Sequence, residues 1–177
     1  MVLTIAMDGP VGAGKSSVAD EVARRLGILH LDTGAMYRAF AWQALKEGID
    51  TNNAQALAAL AERTMPEVRF ENGAQRTLIG GTDVTDCIRT PEISMAASVV
   101  STVPQVRRAM VARQQELAQR QSMLLDGRDI GTRVLPTATL KIYLTASAEV
   151  RARRRFEELK AKGDPSTYEQ VLADVRS

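Results

Sequence analysis

Three observations predict an α/β fold, a parallel sheet covered by helices. Short apolar runs alternate with amphipathic stretches along most of the 177 residues, the rhythm of a sheet whose strands are joined by helices. The first run, Val2-Leu3-Thr4-Ile5-Ala6-Met7, passes directly into Gly9-Pro10-Val11-Gly12-Ala13-Gly14-Lys15-Ser16, which fits G-x-x-x-x-G-K-[ST]. A helix-periodic stretch then runs from Ser17 to Leu26, with Val18, Val22 and Leu26 on one face and Ala19 and Ala23 beside them. Strand, glycine-rich turn and helix together are the context a phosphate-binding loop requires. The bland alternative is a glycine turn ahead of a helix, with a solvated lysine.

The residue types at the loop point to triphosphate chemistry. Gly9, Gly12 and Gly14 free the backbone to turn sharply and approach phosphate closely. The backbone N–H groups of Gly9, Pro10's neighbours Val11 to Gly14, and Lys15 to Ser17 then face an anion at the positive end of the following helix. Lys15 is placed to reach the β- and γ-phosphates, and Ser16 to ligate Mg²⁺.

The remaining elements follow in order. Gly27 stops the first helix at a C-terminal cap position. Ile28-Leu29-His30-Leu31 is a second strand ending at Asp32-Thr33-Gly34. His30, the single histidine, is expected to pack at the strand end, because nothing near it in the sequence completes a dyad. A helix spans Ala35 to Lys46 with Met36, Phe40 and Ala44 on one side, and a shorter one spans Asn53 to Arg63 with Leu57 and Leu60. Pro66 to Arg89 breaks the rhythm. Its runs Val68-Arg69-Phe70 and Thr77-Leu78-Ile79, with turns at Asn72-Gly73 and Gly80-Gly81, predict a small antiparallel sheet inserted outside the main one. Thr90-Pro91 opens a helix, Thr102-Val103-Pro104 interrupts it, and a long helix carrying Val106, Met110 and Leu117 follows. Met123-Leu124-Leu125-Asp126 and Leu140-Lys141-Ile142-Tyr143-Leu144 read as buried strands. Ser147 caps an arginine-rich helix that ends at Gly163, and a last helix carries Tyr168, Val171, Leu172 and Val175.

Composition excludes several classes. The chain is 45% hydrophobic and long enough for one well-cored domain. With aromatics at only 4%, its core rests on Val, Leu, Ile, Ala and Met. The short N-terminal apolar run does not read as a signal peptide, and no stretch reaches the length of a membrane span. A cytoplasmic location is expected, and the single Cys87 is expected to be a small buried hydrophobe. The net charge of +2 is too small for bulk nucleic-acid binding. Residues 1–150 are balanced at sixteen basic and sixteen acidic side chains, so the excess lies in the segment holding Arg151, Arg153, Arg154 and Arg155. Such a run is either a solvated helix face or a lid over phosphates.

A phosphate loop alone does not separate a kinase from a hydrolase or a switch. Two further blocks sit at strand ends, where ligands collect in open α/β sheets. They are Asp32-Thr33-Gly34-Ala35-Met36-Tyr37-Arg38 and Asp126-Gly127-Arg128-Asp129-Ile130-Gly131-Thr132. Such a strand-end aspartate as Asp126 commonly helps to hold Mg²⁺ or its waters. Together with D-G-P-x-G-A-G-K at Asp8 to Lys15, I-R-T-x-E at Ile88 to Glu92, A-A-S at Ala96 to Ser98, P-x-V-R at Pro104 to Arg107, Arg113-Gln114 and A-S-x-E-x-R-A-x-R-R at Ala146 to Arg155, these blocks resemble the bacterial-type cytidylate kinases. The likeness runs from near residue 3 to the end of the chain.

That resemblance implies a P-loop kinase fold and transfer of the ATP γ-phosphoryl group to CMP or dCMP, with Mg²⁺ as cofactor. It implies one domain over residues 1–177: a core of 1–32 and 103–146, an acceptor-binding region of 33–102 that includes the small sheet, and a lid of 147–168. Lys15 and Arg128 would be catalytic, and Arg151 and Arg154 would join the loop in binding ATP. Arg38, Arg107 and Arg128 would clamp the acceptor phosphate, a task suited to a planar, permanently charged fork. Asp129 would accept from the cytosine 4-amino group, Ser98 would add a base contact, and Thr33 and Tyr37 would shape the nucleoside pocket. Thr33 stands where many of the family have serine. Ser16 and Asp126 would hold the Mg²⁺. The partners implied are ATP and CMP or dCMP, with no nucleic acid and no membrane, bound by a monomer. No general base is needed, because an acceptor phosphate is already ionised at neutral pH. Other small P-loop kinases of the UMP/CMP, shikimate or gluconate type, and a non-catalytic ATP switch, are the alternatives. The family usually continues past the position of Ser177 through an R-D-x-x-D-x-x-R stretch, a core strand and a helix. The expectation is therefore a truncated chain with an uncovered sheet edge and weak activity.

Overall fold

The computed structural model describes residues 1–177. In chain order the first elements are β1 (Thr4–Asp8), α1 (Lys15–Leu26), β2 (Leu29–Asp32), α2 (Thr33–Lys46) and α3 (Ala54–Arg63). Next come β3 (Glu67–Glu71), β4 (Ala74–Ile79), β5 (Thr82–Asp83), α4 (Pro91–Val100) and α5 (Pro104–Arg120). The last are β6 (Met123–Gly127), a π-helical turn at Ile130–Val134, β7 (Leu140–Tyr143), α6 (Ala148–Ala161) and α7 (Tyr168–Arg176).

Four strands form a parallel sheet in the order β2-β6-β1-β7, and β3-β4-β5 form a separate antiparallel sheet. Strand alternation sends side chains to two layers. Ala6, Leu31, Met123 and Leu125 join the larger core with Met36, Phe40, Leu57, Leu60, Val106 and Met110 from the helices. Ile5, Met7 and Leu124 face the other way, against Ala19 of α1. Phe40 is the largest fully buried side chain, and truncating it to alanine would cost about 3–5 kcal/mol.

The helix ends follow the sequence. Gly27 adopts φ 64 at the C-cap of α1, and Asn53, Thr90 and Ser147 accept from backbone N–H groups at the starts of α3, α4 and α6. Four expectations need correction. On α1 the buried positions are Ala19 and Ala23, while Val18 and Leu26 are exposed, because only small side chains fit where the helix lies close on the sheet. On β7, Leu140 is 50% and Tyr143 70% exposed, because β7 is one of the two edge strands and its only strand partner is β1. Cys87 is exposed, its thiol donating to the Val84 carbonyl at 3.3 Å in the loop after β5. His30 does have carboxylate partners, described below.

Register decides what stands on the rim. Asp32 of β2 lies beside Asp126 of β6, and Asp8 of β1 lies beside Gly127. Three carboxylates therefore crown the carboxyl ends of neighbouring strands, next to the phosphate loop. The small sheet is tied to this rim by Gln75 of β4. Its side-chain amide accepts from the Asp32 N–H at 2.8 Å and donates to the Asp32 carbonyl at 3.2 Å.

Candidate active site

The phosphate loop is shaped by close backbone approach. Gly9 has φ 150, and a Cβ there would stand 2.1 Å from the Leu144 carbonyl oxygen. The Lys15 ammonium donates to the Gly9 carbonyl at 2.7 Å, folding back along the loop. Burial lowers its pKa and the Arg128 charge adds to that, against the opposing pull of Asp126, Asp8 and Asp32.

The other end of the site is a set of guanidinium–carboxylate pairs. Asp32 caps α2 by accepting from Ala35 N–H, while its second oxygen takes Arg38 at 3.2 Å and Arg89 at 3.3 Å. Arg107 of α5 binds Asp129 at 2.8 Å. Arg128, exposed on the loop after β6, has no ion-pair partner. Tyr37 lies between α5 and the Asp129 loop, and its pKa is raised by burial and by the Asp129 charge, with Arg107 opposing.

The loop that carries Arg128 and Asp129 is fixed from below. Asp8 accepts from the Ile130 and Gly131 N–H groups, both at 2.8 Å. The turn they open is wide, with Leu135 N–H bonded to the Ile130 carbonyl at 2.7 Å. Such π turns recur at functional sites, where they redirect neighbouring side chains. Asp129 itself takes φ 57, a left-handed conformation that aspartate tolerates better than most residues. Gly127 is obligatory here, since a Cβ would sit 2.2 Å from the Thr33 hydroxyl.

One cavity of about 660 Å³ joins the two ends. Pro10, Val11, Gly12, Gly14, Lys15 and Ser16 form one wall. Thr33, Tyr37, Arg38, Ser98, Arg107 and Arg128 line the remainder, with Asp126 at the junction. Gly9, Ala13 and Ser17 are not on its wall, Ala13 being buried beneath the loop. Several expected contacts differ in detail. The Thr33 hydroxyl is buried and donates to the Asp126 carbonyl at 2.9 Å, so it braces β6 against α2. Ser98 donates to the Ser94 carbonyl at 3.2 Å within α4. Asp129 stands outside the cavity wall, drawn to Arg107, so a phosphate clamp at Arg107 and a base contact at Asp129 compete for one ion pair. A second groove of about 810 Å³ lies between α5 and the π turn, but it contains no phosphate-loop residue and cannot hold both substrates.

The arginine-rich α6 lies on the phosphate loop rather than in the cavity. Arg154 donates to the Gly12 carbonyl at 3.0 Å, and the Arg151 Cβ stands 3.4 Å from where a Gly12 Cβ would be. Only Ala152 of α6 is buried. The helix is held mainly by α7, through an edge-on Phe156–Tyr168 pair at 6.1 Å and Arg153 over the Tyr168 ring at 5.6 Å.

Among the residues a Mg²⁺ would require, Ser16 and Asp126 border the same cavity. The His30 Nε2 pairs with Asp126 Oδ2, leaving the second carboxylate oxygen for a cation or its waters. No cluster of three or more His, Cys, Asp or Glu side chains forms a metal cage, and a Mg²⁺ carried by phosphates and waters needs none. The residues fit the ion.

Sequence reasoning missed Asp8, Asp32, Arg89 and Gln75 as contributors, and it misread His30. Asp8, Asp32 and Arg89 stood inside recognised runs, so a signal was present. His30 reaches Asp20 on α1 and Asp126 on β6, partners 10 and 96 residues away, and no local pattern announces such a bridge. Burial disfavours its charged form, but hydrogen bonds and charge from Asp126 and Asp20 prevail and raise its pKa to about 9.

The profile of the family described as Cytidylate kinase matches residues 5–177. This chain belongs to the cytidylate kinase family. The cytidylate kinase of Shouchella clausii is 50% identical over 173 residues, covering 97% of this chain and 76% of that protein. That of Caldicellulosiruptor bescii is 47% identical over 174 residues, covering 98% and 77%. A solved shikimate kinase of Acinetobacter baumannii, in complex with shikimate, is similar at 19% identity and a TM-score of 0.45, covering 99% of this chain and 74% of that one. That likeness is too distant to bear on the acceptor. Family members are enzymes, nucleoside monophosphate kinases with a P-loop fold. No helix of the chain is long and apolar enough to cross a membrane.

Proposed function

We propose that this chain transfers the γ-phosphoryl group of ATP to CMP or dCMP, giving ADP and CDP or dCDP. The observation that carries this reading is the single cavity with the phosphate loop at one end and Arg38, Arg107 and Arg128 at the other. Donor and acceptor phosphates brought into one such space meet without water between them, and transfer then needs alignment and charge neutralisation more than acid–base chemistry.

In this reading Gly9 to Ser17 hold the triphosphate, and Lys15 moves from the Gly9 carbonyl to the transferring group. Arg128, free of protein partners, is the first guanidinium available to the acceptor phosphate. Arg38 leaves Asp32 to join it. Arg107 leaves Asp129 for the same phosphate, which frees the Asp129 carboxylate to meet the cytosine amino group, while Tyr37, Thr33 and Ser98 enclose the nucleoside. Mg²⁺ at Ser16 and Asp126 supplies neutralisation of the triphosphate charge. The core of 1–32 and 103–146 carries the loop, 33–102 receives the acceptor, and 147–168 covers the donor phosphates through Arg151 and Arg154. The chain acts as a monomer in the cytoplasm.

The test is ADP release, measured in a coupled assay with ATP and each of CMP, dCMP, UMP, AMP and shikimate. Turnover should favour CMP and dCMP at least tenfold. A preference for UMP would remove the base-reading role of Asp129, and a preference for shikimate would remove the nucleotide acceptor altogether.

A further inference from the structure

Four buried side-chain nitrogens have no hydrogen-bond partner: Arg38 Nε, Arg113 Nε, Gln114 Nε2 and Arg151 Nε. Arg38 and Arg113 still pair through their terminal nitrogens, with Asp32 and Glu116. Arg151 lies against the phosphate loop. Gln114 is different. It is neutral and 1% exposed, it borders the substrate cavity, and its amide nitrogen is buried without an acceptor. An unpaired buried donor costs about 1–3 kcal/mol. A buried polar group left unpaired in the empty site is also how a pocket rejects a ligand unable to bond it.

Its place on the wall indicates what would satisfy it. Arg107, Val111 and Gln114 form one stripe of α5 at i, i+4 and i+7, and all three line the cavity. The cavity's apolar lining includes Ala97, Val111, Ile130 and Val134. A phosphate would take the arginines, which bind it far more strongly than an amide does. An apolar stretch of wall bordered by one amide suits a flat, uncharged ring that carries a carbonyl.

We propose that Gln114 is a specificity-determining residue that donates its side-chain N–H to the 2-carbonyl of the acceptor's pyrimidine ring. This rests on the assignment of the cavity's arginine end to a pyrimidine monophosphate. Asp129 would then meet the exocyclic amine, and Gln114 the carbonyl on the other side of N3 along the same edge of the ring. The 2-carbonyl is common to cytosine and uracil, so Gln114 selects pyrimidine over purine and leaves the choice between the two pyrimidines to Asp129.

Gln114→Met, close in shape but apolar, tests this, with Gln114→Leu as a second variant in case the first fails to fold. Removing an unpaired donor is neutral or stabilising in the empty protein. The thermal midpoint without ligand should therefore hold or rise, while the Kd for CMP and the Kd for dCMP, by calorimetry, both weaken about tenfold. The Kd for a non-hydrolysable ATP analogue should not change. A lower midpoint with unchanged CMP affinity would make Gln114 a structural residue and overturn the proposal. Weaker binding of CMP but not of dCMP would move the contact to the ribose 2′-hydroxyl and overturn it equally. If the unaltered protein itself gives no heat with CMP, the functional assignment fails first. If the unaltered protein binds CMP and the variants bind it as well, only the role of Gln114 fails.

Discussion

At one end of the cavity the phosphate loop is a backbone device, closed within the contiguous residues 9–16. At the other, the end proposed for the acceptor is a side-chain device drawn from β2, α2, α4, α5 and the loop after β6. The loop needs its shape before any ligand arrives, and Gly9 buys that shape with a conformation few residues share. The acceptor end holds its arginines on carboxylates, with Arg38 and Arg89 on Asp32 and Arg107 on Asp129. A preformed anion cradle cannot be adjusted without being lost, whereas paired guanidiniums can be handed from carboxylate to phosphate.

The sharpest way to break the comparison is at Gly9. Gly9→Ala introduces a Cβ 2.1 Å from the Leu144 carbonyl, at a φ of 150. The expected cost is about 3 kcal/mol or more from strain and clash combined. Thermal melting should fall by several degrees, and binding of a fluorescent ATP analogue should be lost. An alanine variant that still binds ATP normally would show that the loop is no more rigid than the acceptor end.

Within the acceptor end, Arg128 and Arg38 differ in what they do without ligand. Arg128→Ala removes a guanidinium with no ion-pair partner, so the melting midpoint should not move while kcat/KM for CMP falls about 10²–10³-fold. Arg38→Ala should weaken CMP binding too, but it also strips a half-buried partner from Asp32 and should lower the midpoint by a few degrees. Lysine at position 128 should recover only part of the activity, because an ammonium lacks the planar fork. Equal stability loss in the two alanine variants would contradict the division between a free arginine and a paired one.

The same division explains what could be read from the sequence. The phosphate loop, the inserted hairpin with its Asn72-Gly73 turn, and the capped helices are local devices written in adjacent residues, and each stands where expected. Arg38, Arg107 and Arg128 were legible through motif resemblance, and they do meet in one cavity. The pairing of Arg38 with Asp32 and of Arg107 with Asp129 was not. Asp32 and Arg89 are 57 residues apart, and Asp8 reaches Ile130 across 122 residues. Asp8 reaches Ile130 because parallel register sets the ends of β1 and β6 side by side, and Arg89 reaches Asp32 from the segment ahead of α4. Exposure of β7 was misread for the same reason: Leu140 and Tyr143 look buried in composition, but order within the sheet decides which strands lie at its edges.

His30 joins the two regions, and its effect is read as a dependence on pH. It spans from Asp20 on α1, the helix that begins at the phosphate loop, to Asp126 at the cavity junction. Its pKa is raised to about 9, with burial opposing and both carboxylates favouring the charged form. A group whose pKa is higher folded than unfolded contributes stability fully below its unfolded value, near 6.5, and loses it as pH rises through the folded value. Replacing His30 with leucine should therefore lower the melting midpoint most at pH 6 to 6.5. The gap to the unaltered protein should narrow steadily towards pH 9.5. Thermal melts of both proteins across that range measure it directly. A gap that stays constant would mean that the imidazole is neutral throughout, and that the bridge is a matter of packing rather than charge.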